Sequence, residues 1–243
     1  MQLHDTHFHL DLMRDPRHVS ELIESAKIYT IAVTNLPDLF DHTDQLVKQT
    51  KYLRAALGFH PELAAQHKHQ LALFEKKIDE TRYIGEIGLD NSNKSPADYI
   101  EQRRIFERII NACGSRGGKI LTVHSRRAEQ DVISIIGPKF PGKVILHWYS
   151  GSLKEVERAI DFGFYFSVNI AMTMSENGKK IIDRVPASRL LLESDGPFIK
   201  NEKHECTPLD VNVIVQRLED QKNKQLEVGS FVDVYANFKS LFT

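Results

Sequence analysis

Short hydrophobic runs recur along the chain, and the segments between them carry apolar residues at every third or fourth position. Runs of four to eight apolar residues are typical of buried strands, whereas the 3.6-residue period is typical of amphipathic helices. The clearest helix is predicted over residues 99–113, where the apolar side chains share one face. Eight strands are predicted: one ending near His7, and then residues 30–33, 53–58, 83–87, 119–123, 143–146, 164–168 and 189–192.

This alternation of strands and helices predicts an α/β fold, a (β/α)8 TIM barrel. Strands separated by helices pair in parallel through right-handed crossovers, and a length of 243 residues suits one such barrel. No linker or repeat divides the chain, so one domain is expected over residues 1–243. Two last helices are predicted over residues 210–218 and 228–242. A doubly wound open sheet is the alternative, but no glycine-rich dinucleotide motif follows the first strand.

The first predicted strand ends in a pattern of polar residues, Asp5-x-His7-x-His9. Because side chains alternate along an extended chain, His7 and His9 point to the same side and can share one metal ion. A pair of histidines at this spacing is equally compatible with a structural role. The later strands therefore decide between the two interpretations.

Four more strands end in side chains that ligate metals. Glu86 lies within an apolar strand, and an ionised carboxylate is costly to bury without a partner, which would be a metal pair or an arginine. His124 and His147 each follow an apolar run, and Asp195 follows the last strand. The carboxyl ends of barrel strands meet at one mouth, so these side chains are expected to converge there.

Four histidines and two carboxylates at a barrel mouth predict a site for two divalent cations, with one carboxylate bridging them. Such ions lower the pKa of a bound water from about 15.7 toward 7 and so favour hydrolysis. Nitrogen and oxygen ligands accept Mg2+, Mn2+ or Zn2+, so the sequence does not select the ion.

The charge and composition of the chain limit its expected partners and cellular location. The chain has 32 Lys and Arg against 33 Asp and Glu, so no overall basic field attracts a polyanion, and any nucleic acid must be held locally. Its two cysteines, Cys113 and Cys206, form no metal-binding or disulfide pattern, which favours a reduced, cytoplasmic setting. No signal peptide or membrane-spanning run is recognised, so no membrane partner is expected.

The chain resembles the TatD family of metal-dependent hydrolases, within the amidohydrolase superfamily, through ordered motifs spread over residues 1–242. The motifs are Asp5-x-His7-x-His9, Gly58-Phe59-His60-Pro61, Gly85-Glu86-Ile87-Gly88-Leu89-Asp90, Gln102-Arg103-x-x-Phe106, His124-Ser125-Arg126, His147-Trp148-Tyr149-Ser150-Gly151-Ser152 and Leu191-Leu192-Glu193-Ser194-Asp195-x-Pro197.

This resemblance implies a deoxyribonuclease that degrades single-stranded DNA or 3′ ends, often in the 3′ to 5′ direction. It implies that one metal ion is held by His7, His9, Glu86 and Asp195, and the other by Glu86, His124 and His147. It also implies that His60 and Arg126 contact phosphate. In the mechanism we expect, Glu86 bridges the ions and Asp195 accepts the proton of the attacking water, while Asp5 orients a ligand histidine and fixes its tautomer.

A narrower resemblance is to the TatD-like member of the Qat anti-phage defence systems, which implies other Qat proteins as partners. It is carried by His124-Ser125-Arg126-Arg127-Ala128, His147-Trp148-Tyr149-Ser150-Gly151-Ser152, Phe166-Ser167-Val168 with Ala171-Met172, and Asp195-Gly196-Pro197-Phe198. The chain departs from the usual TatD pattern at Glu62, at Asn91 and over residues 200–205. The substrate site is therefore expected to differ from that of other members.

Two other functions remain open. One is hydrolysis of a small ester, lactone or amide; it is disfavoured because Glu86 takes the place of the carboxylated lysine of many amidohydrolases. The other is a component of a defence complex that acts mainly by binding protein partners.

Two local patterns also have alternative interpretations. One of Arg126 and Arg127 is expected to pair with Glu129 or Asp131 of the next helix. Arg126, which lies closer to the strand end, is the one expected to contact the substrate. Trp148 and Tyr149 either stack on bases or pack the barrel rim.

Overall fold

The computed structural model describes residues 2–92, 95–201, 204–223 and 233–243, and in these residues parallel strands alternate with helices. The strands of the barrel are β1 (His4–Phe8), β2 (Tyr29–Ala32), β3 (Leu53–Ala55), β4 (Tyr83–Gly88), β5 (Ile120–His124), β6 (Lys143–His147), β7 (Tyr165–Val168) and β8 (Leu190–Leu192). The helices are α1 (Pro16–Ala26), α2 (Phe40–Val47), α3 (Pro61–Ala64), α4 (Leu71–Lys77), α5 (Pro96–Arg116), α6 (Glu129–Ile136), α7 (Leu153–Asp161), α8 (Ile170–Met174), α9 (Glu176–Arg184), α10 (Val211–Asn223) and α11 (Val234–Lys239).

Shorter elements complete the description. A hairpin of β9 (Lys200–Asn201) and β10 (His204–Glu205) follows the barrel strands. Single 3-10 turns occupy Leu10–Leu12, Pro37–Leu39, Lys68–Gln70, Ile78–Glu80, Ala187–Arg189, Pro208–Asp210 and Ser240–Phe242.

Each predicted strand coincides with one of β1 to β8, and the helix predicted over 99–113 is the centre of α5. The prediction over 210–218 falls at the start of α10. Of the prediction over 228–242, residues 228–232 lie outside the described part of the chain, and the remainder forms α11 and a 3-10 turn. The run predicted over 53–58 is a strand only to Ala55, because Leu57 turns to pair singly with Ile84 of β4.

The strands form two parallel sheets, one of β1-β2-β3 and one of β4-β5-β6-β7-β8. The Leu57–Ile84 bridge joins β3 to β4. Between β8 and β1, the Leu192 amide donates to His4 Nε2 at 3.1 Å and Thr6 Oγ1 donates to the Leu192 carbonyl at 3.1 Å. The predicted α/β fold with parallel strands is therefore confirmed, although its hydrogen-bond ladder is interrupted at these two seams.

The long helix α5 shows why the sequence folds as it does. Its N-cap is Ser95, whose hydroxyl accepts from the Asp98 amide at 3.2 Å, and Pro96 occupies the first turn, where no amide donor is needed. Gly117 ends the helix with a positive φ of 65°, and its amide donates to the Cys113 carbonyl. The residues it buries face the strands: Gln102, Ile105, Phe106, Ile109, Ile110 and Cys113.

The two ends of the barrel differ in composition. At the amino ends of the strands, Ile120, Ile145 and Leu191 form an apolar cluster with Phe238 of α11. Most of the buried histidines and carboxylates lie at or just beyond the carboxyl ends of the strands. Within the described residues, no helix is both long and apolar enough to cross a bilayer.

Candidate metal centre

The structure brings together the six side chains that were predicted to ligate metal. Each is carried at or near the carboxyl end of a strand: β1 for the first two histidines, β4 for the glutamate, β5 and β6 for the other two histidines, and the segment after β8 for the aspartate. The six are His7, His9, Glu86, His124, His147 and Asp195. All are buried except His124, which is partly exposed to the cavity above them.

Glu86 lies at the centre of the cluster and divides the histidines into two groups. Its Oε2 is 3.4 Å from both His7 Nε2 and His9 Nε2. Its Oε1 is 2.8 Å from His124 Nδ1 and 3.0 Å from His147 Nε2. Each carboxylate oxygen thus faces its own pair of ring nitrogens, which is the arrangement that a bridging carboxylate requires.

The spacing of the ring nitrogens fits metal ligation. His7 Nε2 and His9 Nε2 are 3.2 Å apart, and each is 3.7 Å from Asp195 Oδ1. In the second group, His124 Nδ1 and His147 Nε2 are 3.4 Å apart. Bonds of 2.0–2.2 Å to a tetrahedral ion place ligand atoms about 3.3–3.6 Å from one another. The ring nitrogens and Asp195 Oδ1 are therefore spaced as candidate metal ligands, whereas the 2.8 and 3.0 Å contacts of Glu86 Oε1 are hydrogen-bond distances.

His60 lies next to the second group of histidines, which consists of His124 and His147. Its Nε2 is 3.3 Å from Glu86 Oε1, and these two residues and His124 offer three ligand atoms within one ion's reach. Its Nδ1 accepts a hydrogen bond from the Glu62 amide at 3.2 Å, which caps α3. Because Nδ1 accepts this bond, a neutral His60 ring carries its proton on Nε2, which faces Glu86 as a donor and is suited to phosphate.

Two side chains orient the clustered histidines, and sequence reasoning identified neither of them in that role. Thr122 Oγ1 lies 2.7 Å from His7 Nδ1, and Asp90 Oδ2 lies 2.7 Å from His124 Nε2. Partners of this kind fix the ring plane and the tautomer of a ligand histidine. Glu193 Oε2 lies 3.7 Å from His147 Nδ1, which is beyond hydrogen-bond distance. A signal for Thr122 was present, because a residue two positions before His124 in a strand faces the same side.

Asp5 makes different contacts from those expected. Its carboxylate accepts from the His7 amide at 3.0 Å, from the Ser194 amide at 3.1 Å and from Ser194 Oγ at 2.5 Å. Asp5 therefore holds the main chain at His7 and at Ser194, which precedes Asp195, and not an imidazole ring. The hydrogen-bond partner of His7 Nδ1 is Thr122. Burial raises the pKa of Asp5 to about 7, against the effect of these hydrogen bonds.

Arg126 lines the cavity with its side chain exposed. Of the two acidic residues predicted to pair with one of the arginines, Asp131 accepts instead from Arg103 Nη1 at 3.0 Å and from the Tyr99 hydroxyl at 2.7 Å. Arg127 instead donates to the Ser92 carbonyl at 3.3 Å. The geometry leaves Arg126 facing the space where a substrate would bind.

The two carboxylates of the cluster have pKa values shifted in opposite directions. Burial alone would raise the pKa of Glu86, but His60, His147 and His7 outweigh it and hold that pKa well below its usual value. Burial raises the pKa of Asp195 well above its usual value; His147 opposes this shift, whereas the nearby carboxylates reinforce it. Glu86 is therefore ionised under conditions in which Asp195 has affinity for a proton.

Backbone conformation at the mouth is unusual in two places. Asp195 has φ of 49° and Trp148 has φ of 36°, values that non-glycine residues seldom adopt. The Asp195 amide donates to the His7 carbonyl at 3.0 Å, and the Trp148 amide donates to Glu193 Oε1 at 2.9 Å. Strained residues of this kind cluster at functional sites, where the surrounding contacts maintain them.

Above the cluster lies a cavity of about 510 Å³. Trp148 and Phe198 line it and are 39% and 59% exposed. Tyr149 is buried and packs edge-on against Phe166, so the packing interpretation holds for this residue. Glu62 also lines the cavity, whereas no described residue of 200–205 does, and residues 202–203 lie outside the described part of the chain.

A parallel α/β barrel with histidines and carboxylates gathered at the carboxyl ends of its strands defines a metal-dependent barrel hydrolase. The TatD related DNase family matches residues 4–243, and the chain belongs to this family. Its relatives include the uncharacterized metal-dependent hydrolase YabD of Bacillus subtilis, which is 26% identical over 99% of this chain and 98% of its own length. Human deoxyribonuclease TATDN3 is 25% identical over 92% of this chain and 88% of its own length.

The solved structures agree on the fold. The TatD homologue YJJV from Escherichia coli superposes with a TM-score of 0.85 at 21% identity, over 99% of this chain and 97% of that one. A TatD family hydrolase from Entamoeba histolytica superposes with a TM-score of 0.77 at 19% identity, over 99% of this chain and 98% of that one.

Proposed function

We propose that the protein is a metal-dependent deoxyribonuclease that hydrolyses phosphodiester bonds at a site for two divalent cations. The observation that carries this proposal is Glu86, whose two oxygens face two separate groups of histidines. The family match supports DNA as the substrate, and so does the relative from human, which is named a deoxyribonuclease.

In phosphodiester hydrolysis, the ions and the side chains of the protein would have different roles. Bound Mg2+, Mn2+ or Zn2+ would neutralise phosphate charge and lower the pKa of water. Glu86 is already ionised and needs to lose no proton before it ligates. Asp195, whose Oδ1 lies 3.7 Å from both His7 Nε2 and His9 Nε2, is the side chain placed to accept the proton of the attacking water. His60 and Arg126, which line the cavity, would hold the phosphate.

The size of the cavity favours the end of a single strand. A volume of about 510 Å³ is in the range that encloses a small-molecule ligand, comparable to one or two nucleotides. We therefore propose exonucleolytic removal of nucleotides from single-stranded DNA, in the 3′ to 5′ direction that the sequence resemblance implies.

The Asp195→Asn substitution tests the mechanism. We expect digestion of 5′-labelled single-stranded DNA to slow by roughly 10²–10⁴-fold, since this is the usual contribution of a general base. Metal content and thermal unfolding would be measured in parallel, so that a loss of ions is distinguished from a loss of the base. The matched control is Asp161→Asn, at an exposed position at the end of α7.

Two outcomes would contradict the proposal at different levels. Unchanged turnover in Asp195→Asn would exclude this residue as the proton acceptor. If the wild-type protein loaded with each of the three ions leaves single-stranded DNA intact but cleaves esters or lactones, the nuclease assignment is wrong.

We also propose that the protein acts in the cytoplasm together with Qat proteins in anti-phage defence. The support is the narrower sequence resemblance, which includes the paired arginines Arg126 and Arg127, both exposed. Plaque counts on cells that express the wild-type protein or Asp195→Asn with these partners test it. Equal plaque counts with and without the wild-type protein would exclude a defence role.

A further inference from the structure

Two exposed aromatic rings stand over the candidate metal centre. Trp148 and Phe198 both line the cavity, and both keep more than a third of their surface exposed. Phe198 lies edge-on to His9, with the ring centroids 5.0 Å apart and the planes at 88°. Exposed apolar surface that lines a binding cavity is typical of a surface that a ligand covers.

Both rings are tied to segments that carry site residues. Trp148 directly follows His147, and its amide donates to Glu193, whose other oxygen approaches His147 Nδ1. The Phe198 amide donates to the Asp195 carbonyl at 3.0 Å. The main chain of both aromatic residues is therefore held in place relative to the side chains that would act on the phosphate.

Apart from any bound ions, the chain itself supplies little positive charge to hold a phosphate backbone in the cavity. The chain has a net charge of −1, and Arg126 is the only lysine or arginine among the described residues that line the cavity. Glu62 adds a further carboxylate to the same wall. Proteins that bind single strands combine phosphate contacts with aromatic side chains on which bases stack. Where the side chains make few phosphate contacts, stacking is the contribution that the chain itself can add.

We propose that Trp148 and Phe198 are stacking sites for the unpaired bases next to the scissile phosphate. This inference rests on the proposed nuclease function and specifies its substrate class: a strand end with exposed base faces, selected without regard to sequence. In a duplex these faces are covered by neighbouring base pairs, so a blunt duplex end is a poor ligand until it frays.

Intrinsic fluorescence tests stacking directly, because Trp148 is the only tryptophan of the chain. Asp195→Asn protein loaded with Mn2+ or Mg2+ would be titrated with an eight-residue oligothymidylate and with an abasic octamer of equal charge. We expect the oligothymidylate to change the fluorescence of Trp148 and to bind about tenfold or more tightly than the abasic octamer. Equal affinity for the two octamers, or unchanged fluorescence on binding, would overturn the proposal.

Substitutions identify which ring contributes. Binding would be followed by the anisotropy of labelled octamers, with metal content measured for each variant. Trp148→Ala and Phe198→Ala are each expected to weaken binding of the oligothymidylate about tenfold with little effect on the abasic octamer, and Trp148→Phe and Phe198→Tyr to restore it. Ile100→Ala is the control, since Ile100 is 66% exposed on α5 and does not line the cavity.

Failure of this inference is distinguishable from failure of the nuclease assignment. If the wild-type protein hydrolyses both octamers and binds them equally, it is a nuclease in which stacking plays no part. If it neither binds nor hydrolyses either octamer, the assignment of DNA as substrate is wrong, and the inference falls with it.

Discussion

At the scale of single residues, the geometry of the candidate site depends on side chains that do not face an ion. The His7 ring is held between Thr122, whose hydroxyl lies 2.7 Å from Nδ1, and His147, on which it stacks at 3.8 Å with planes 8° apart. When Nε2 serves as a ligand, Nδ1 carries the ring proton and donates a hydrogen bond to Thr122 Oγ1. Thr122 is therefore a positioning residue for His7.

Thr122→Val keeps the shape of the side chain and removes this acceptor. We expect metal affinity to fall about 10–100-fold, the usual cost of losing such a partner, as measured by competition with a chelator. Thr30→Val is the matched control, because Thr30 is buried in β2 and its hydroxyl donates to the Ile28 carbonyl, away from the cluster. Wild-type metal affinity in Thr122→Val would show that stacking on His147 suffices to orient His7.

At the scale of elements, the seam between the two sheets positions Glu86. The Thr34 amide donates to the Gly85 carbonyl and the Glu86 amide donates to the Thr34 carbonyl, both at 3.1 Å. The Gly58 amide donates to Thr34 Oγ1 at 3.0 Å, so this threonine connects the ends of β2, β3 and β4. A Cβ on Gly58 would lie 1.6 Å from the Thr34 carbonyl oxygen, which explains why glycine occupies that position.

Gly58→Ala is therefore expected to force the seam apart. The free energy of unfolding, measured by urea denaturation, should fall by about 1–3 kcal/mol or more, and metal binding should weaken because Glu86 moves with the seam. Gly114→Ala on α5 is the control, since its nearest neighbour would be 3.9 Å away and alanine favours the helix. A Gly58→Ala protein as stable as the wild type would show that the seam adapts without cost.

At the scale of the whole molecule, His4 joins the first strand, the last strand and the final helix. Its Nε2 accepts from the Leu192 amide of β8, and its ring stacks on Phe238 of α11 at 4.7 Å. Burial lowers its pKa from 6.5 to about 3, so the ring is neutral in the fold. The unfolded chain binds a proton at His4 below about pH 6.5, and the folded chain does not.

This difference in proton binding makes the free energy of unfolding depend on pH. The contribution of His4 to stability is complete above pH 6.5 and is lost progressively as the pH falls towards 3, because protons then favour the unfolded chain. His4→Gln keeps an acceptor for Leu192 but cannot be protonated, so we expect its unfolding free energy to fall less steeply with acid over this range. His18→Gln, at an exposed position on α1, should follow the wild-type curve. Parallel curves for His4→Gln and the wild type would contradict this account.

Much of this protein is determined by the local properties of its sequence. The period of apolar residues predicts β1 to β8 and the core of α5, because burial of one face is decided within a few neighbouring positions. The change from apolar residues to potential metal ligands at the ends of five strands indicated which side chains would meet, since parallel strands present their carboxyl ends to one mouth.

Only the tertiary structure decided which contacts those side chains make with one another and with their supporting residues. Thr122 and His7 are 115 positions apart, and Asp5 and Ser194 are 189 positions apart. Their contacts depend on the register between distant strands and on the seams, which no local pattern specifies. The same is true of the separation of the histidines by the two oxygens of Glu86, and of Phe198, which becomes a wall of the cavity because the chain turns at Asp195.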